Sequence, residues 1–108
     1  MHTATLRDGR KLDVLRLQSL LEHAPVEYLP LDEIKGASRS PKSGFSRRRY
    51  ARAEPNVAGI VDGRTNLIDG RHRYLKRKDT GCRYMPIRFA SDEQIAACVV
   101  EGAGLVGG

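Results

Sequence analysis

A chain of 108 residues, 40% hydrophobic and 30% charged, suits one small domain with a modest core. No apolar run approaches the ~20 residues that span a bilayer and no signal peptide opens the chain, so the expectations are a cytoplasmic location and no membrane partner. Cys82 and Cys98 form neither a Cys-x-x-Cys pair nor a disulfide framework, which excludes metal or dithiol chemistry built on them.

The net charge of +6 is unevenly spread. Residues 39–88 hold fourteen Lys/Arg against four Asp/Glu, a net +10; the remainder hold five against nine, a net −4. Such asymmetry points to an anionic partner for the middle of the chain: nucleotide, nucleic acid or an acidic protein surface.

In chain order, Asp8-Gly9 reads as a tight turn between short strands. Val14, Leu17, Leu20 and Leu21 then recur at helical spacing, which predicts an amphipathic helix over 13–23 with Asp13 as N-cap. A strand follows over Val26–Leu29, closed by Pro30, and "LDEI" reads as one helical turn docking Leu31 and Ile34. Residues 36–55 lose all periodicity and are predicted to be a flexible basic loop, with a short helix over Arg47–Ala53.

"VAGIVDGRTNLI" predicts two short strands joined at Asp62-Gly63. A helix over Gly70–Thr80 follows, ended by Gly81, and then a strand over Tyr84–Phe89. Ser91 and Gln94 have capping-box spacing and open a last helix whose buried stripe is Ile95, Cys98 and Val99; the tail 102–108 is expected to fray. The fold expected is a single α+β domain over 1–108, its core within 12–101, with helices packed on a small mixed sheet.

The chemistry concentrates where strand meets helix. The first amides of a helix opening at Gly70 lack intrahelical partners, and a glycine lets a ligand approach the backbone. Arg71, His72 and Arg73 add donors around the same point, a combination suited to phosphate. Asp69 is expected to cap that helix or to face a cation accompanying the phosphate. The competing reading is a simple Asp-Gly turn followed by a solvated basic face.

The stretch "NLIDGRHRYLKRKDTGCRYMPIRF" resembles the signature of the ParB/sulfiredoxin-like superfamily. In that family a strand enters a Gly-x-[His/Arg]-Arg box, here Gly70-Arg71-His72-Arg73, a helix runs to a glycine, and a proline-bearing strand follows. "VEYLPLDEI" is similar to the family's opening strand and turn, so the resemblance covers residues 26–90. It implies a ParB/sulfiredoxin-like fold and a nucleotide ligand, CTP or ATP with or without Mg²⁺, whose phosphates meet Gly70, Arg71, His72 and Arg73. Catalytic candidates are then His72, as general acid or base, and Asp69. Small relatives of this kind occur in bacterial genomes and on mobile elements.

Two departures narrow the activity. Sulfiredoxin chemistry needs a cysteine where this chain has Arg71, and a partition clamp needs a helix-turn-helix domain after the nucleotide domain, which the sequence to Gly108 lacks. Serine-kinase relatives carry catalytic carboxylates, for which only Glu54 and Asp69 are candidates. The expectation is a nucleotide-binding domain, with phosphoryl transfer or hydrolysis open. The alternative is a nucleic-acid-binding module using Arg47, Arg48, Arg49, Tyr50 and Arg52, extended by Lys76, Arg77 and Lys78. An interaction or inhibitor protein docking an acidic partner is the third reading.

Overall fold

The computed structural model describes residues 2–36 and 47–101, and shows an α+β fold. The middle of the basic loop, 37–46, and the tail, 102–108, for which flexibility and fraying are expected, lie outside the described residues. Among those described, no helix is long and apolar enough to cross a membrane.

Strands β1 (Thr3–Thr5) and β2 (Lys11–Asp13) form the expected antiparallel hairpin. Its turn is closed by the Asp8 carboxylate, which accepts from the Arg10 backbone N–H at 3.0 Å and from its Nε at 2.8 Å. Asp13 then caps α1 (Val14–Leu20), accepting from the Arg16 amide at 3.1 Å. The helix stops short of the predicted His23. Pro25 disfavours helical geometry at the residue before it, and the chain leaves through a turn in which the Ala24 amide donates to Leu21.

Strand β3 (Glu27–Pro30) leads into a 3-10 turn at Leu31–Glu33, which buries Leu31 and Ile34 as expected. After α2 (Arg47–Arg52) come β4 (Gly59–Val61), β5 (Leu67–Asp69), α3 (Arg71–Asp79) and β6 (Tyr84–Phe89). The four later strands make one mixed sheet in the order β3-β6-β4-β5, with β4 parallel to β6 and the other pairs antiparallel. Pro86 is tolerated in the central strand because the ladder to β4 begins one residue later, at Ile87.

Gly81 ends α3 as predicted, with φ +79°. Its amide donates to Lys78 at 3.2 Å and the Cys82 amide to Arg77 at 2.9 Å, the paired bonds of a Schellman motif. The β4–β5 hairpin turns after Asp62 as expected; Thr65 is left-handed at φ 63°, and the Asp62 carboxylate accepts from the amides of Arg64 and Asn66.

The capping box of α4 (Asp92–Ala97) is present, with Ser91 Oγ accepting from the Gln94 amide and Gln94 Oε1 from the Ser91 amide. Ile95 and Cys98 are buried, but the helix ends before Val99. Val99 belongs to β7 (Val99–Glu101), which pairs with β2 to complete a second sheet, β1-β2-β7. The sequence reading missed this strand: the β-branched pair Val99-Val100 continues an apolar helical pattern, and only the open edge of β2 recruits it.

The mixed sheet separates two cores. Val61 joins Leu31, Ile34, Tyr74, Leu75, Met85 and Ile87 beneath α3. Its neighbour Ile60 joins Leu12, Leu17, Leu21, Ile95 and Cys98 beneath α1 and α4. Alternation along β4 thus glues both layers to one strand.

Candidate functional site

The start of α3 is set by two glycines pressed together. Gly70 is the N-cap at φ +107°, and a Cβ there would come within 3.0 Å of the Gly59 Cα. A Cβ on Gly59 would in turn meet the Asp69 carbonyl at 2.9 Å and the Met85 methyl at 2.8 Å. The first turn of α3 can therefore lie directly against β4. Gly70 opens the helix at the predicted place; Gly59 is a partner the sequence reading missed, since nothing local marks it.

Asp69 does not cap the helix, because the cap position is taken by Gly70 with no side-chain bond. Its carboxylate turns inward, where Oδ2 accepts from Gln18 Nε2 at 2.9 Å and from the Arg73 guanidinium at 3.1 Å. With Asp69 only 10% exposed and Arg73 only 19%, this ion pair ties α3 to α1 across the end of β5. Gln18, a polar residue at the margin of the apolar stripe of α1, carried no sequence signal for such a role.

An open cleft of about 1020 Å³ lies over this junction. Arg71, His72 and Arg73 line it together with Asp69 and Gly70, so the predicted box residues do come together. Arg49 enters the same cleft from α2, and Thr3 and Thr5 from β1, with His2 just before it, line it as well. Arg49 was expected in a separate nucleic-acid surface, and the β1 residues carried no expectation. The electrostatics register the convergence: partial burial, then the positive charges of Arg49, Arg71 and Arg73, hold the His72 pKa below the ordinary histidine value. His72 is thus a neutral imidazole near pH 7, able to donate from one ring nitrogen and accept at the other.

What places Arg49 is the basic face of α3. Lys76 Nζ donates to the carbonyls of Ala51 at 3.2 Å and Ala53 at 3.1 Å, at the C-terminal end of α2, and lies 5.8 Å from the Tyr50 ring centroid. Arg77 donates from Nε to Pro55 at 2.7 Å and from its terminal nitrogen to Tyr84 at 2.8 Å. Tyr50 Oη completes the clasp by donating to Asp79 at 2.8 Å. Of the residues expected to meet nucleic acid, Tyr50 and Lys76 therefore join α2 to α3 and Arg77 ties the chain after α2 to β6, while Arg47, Arg48 and Arg52 are exposed.

As a metal site the cleft is a poor fit. Among the described residues no group of three or more His, Cys, Asp or Glu is arranged to hold an ion. A second cleft, of about 620 Å³ beside Cys82, Lys78 and Arg83, contains none of the box residues. No family model, curated protein or solved structure matches the chain.

Proposed function

We propose that the cleft at the start of α3 binds the phosphates of a nucleotide. The observation that carries this reading is the gathering of Arg49, Arg71 and Arg73 about His72 over the start of α3, where the missing side chain of Gly70 makes room for Gly59 and Arg73. Guanidiniums offer paired N–H groups matched to phosphate oxygens, and the N-terminal end of a helix carries partial positive charge. A cleft of about 1020 Å³ is of the size that takes a nucleotide-sized ligand. The resemblance of residues 26–90 to ParB/sulfiredoxin-like domains favours CTP or ATP within that class.

In phosphoryl transfer or hydrolysis the arginines would act as clamps on developing charge, and His72 is the cleft group suited to moving a proton. Asp69 is committed to Arg73 and Gln18, so its part is to hold the Arg73 guanidinium in place. Isothermal titration of CTP, ATP, ADP and GTP tests the binding directly. A dissociation constant below about 1 mM, near −4 kcal/mol, is expected for at least one of them, and Arg71→Ala should weaken it at least tenfold. Failure of all four to bind at that level ends the reading.

A second reading, nucleic-acid binding, is favoured by the exposed Arg47, Arg48 and Arg52 of α2. It predicts affinity that falls steeply as salt rises. Tyr50 is poorly placed to stack on a base, since its hydroxyl is held by Asp79. Absence of DNA or RNA binding at low salt removes this second reading and leaves the first intact.

A further inference from the structure

We infer that the cleft takes its phosphate ligand free of metal, the arginines supplying the neutralisation that Mg²⁺ provides elsewhere. The inference rests on the phosphate-binding reading above and adds the ionic form of the ligand. Mg²⁺ prefers six oxygen ligands in a tight octahedron and is usually held by one or two carboxylates together with phosphate oxygens. Among the described residues lining the cleft, Asp69 is the one carboxylate, and three guanidiniums from Arg49, Arg71 and Arg73 surround the same space. Nor do residues 37–46 or 102–108 contain any Asp or Glu to add.

Asp69 is also badly prepared for a cation. Its Oδ2 accepts from both Gln18 and Arg73, and recruiting it to a metal would strip Arg73 of its buried counter-charge. The other charged groups lining the cleft are the guanidiniums, whose positive charge repels a dication and attracts a polyanion. Chelation of the ligand by Mg²⁺ removes two charges from it and so competes with the arginines for the same oxygens.

The test is titration of the wild-type protein with inorganic tripolyphosphate and with ATP, at constant ionic strength, in EDTA and in excess Mg²⁺. Binding in EDTA is expected, three- to tenfold tighter than in Mg²⁺ for both probes. Binding that requires Mg²⁺, or is tighter with it, overturns this inference while leaving the phosphate site standing. Absence of binding to both probes in either condition overturns the site and the inference together. Because the wild-type protein is used throughout, loss of fold in a variant cannot imitate any of these results.

Discussion

Substitution of Gly70 by alanine tests whether the start of α3 is built as described. Two costs add at this position. A φ of +107° is unfavourable for any residue with a Cβ, on the order of 1–2 kcal/mol. The new methyl would also sit 3.0 Å from the Gly59 Cα, a backbone atom of β4 that moves only with the strand, and 3.2 Å from the Arg73 guanidinium. Forced overpacking of this kind costs about 1–3 kcal/mol.

Against these stands a gain of about 0.4–1 kcal/mol from stiffening the unfolded chain, so a net loss of about 2–4 kcal/mol is expected. At roughly 4–8 °C per kcal/mol for a domain of this size, the midpoint should fall by at least about 8 °C. Two other glycines provide internal controls. Gly81 has φ +79° but open space around it, so Gly81→Ala should cost only the conformational part, about 1–2 kcal/mol. Gly63 has neither a positive φ nor any atom within 4 Å of the added carbon, and Gly63→Ala should be neutral or slightly stabilising. Urea denaturation followed by circular dichroism reads all three. If Gly70→Ala and Gly63→Ala unfold at the same urea concentration, the close packing of α3 on β4 is wrong.

Asp69→Ala leaves the Arg73 guanidinium, mostly buried, without its carboxylate; a loss of about 1–3 kcal/mol is expected by urea denaturation, between the values for exposed and fully buried pairs. Equal stability of variant and wild type would refute the tether. Arg77→Ala and Lys76→Ala should each destabilise by about 1–2 kcal/mol and weaken phosphate binding by calorimetry, because α2 carries Arg49 into the cleft. Unchanged affinity in both would show that Arg49 takes no part.

His72 yields a pH prediction. Its pKa is lowered in the folded state, chiefly by burial and then by Arg49, Arg71 and Arg73, so below about pH 6.5 the unfolded chain takes up the proton first. The contribution of His72 to stability is therefore present above that pH and lost as pH falls through the window toward the folded pKa. A bound anion has the opposite effect, favouring the imidazolium, so affinity should rise as pH falls. Sulfate, which does not titrate in this range, should bind several-fold tighter at pH 5.5 than at 7.5. His72→Gln should flatten the profile; an equally steep one would refute the assignment of the effect to His72.

Where signals act over a few residues, the sequence alone determined the outcome. Asp13 and Ser91 start their helices because an acceptor one turn before the first free amides is a local arrangement. Gly81 stops α3 for the same reason in reverse. The strand-to-helix passage at Gly70, with Arg71, His72 and Arg73 beside it, was legible because consecutive residues on a tight turn cannot be far apart. Tertiary structure decided the rest. Asp69 had two local fates open, cap or cation ligand, and took neither, because Gln18 lies 51 residues away in sequence but within hydrogen-bonding distance once α1 packs beneath β5. Val99 left its helical pattern for a strand because β2 had an unpaired edge, and Gly59 became indispensable only when α3 closed over it. The division of the basic residues was likewise invisible in their spacing. Lys76 and Arg77 look like cations for a ligand, yet Lys76 holds the end of α2 and Arg77 the chain just after it, so that Arg49 can reach the cleft. Charge along a chain says how much positive potential is available; only the packing of α2 on α3 says where it converges.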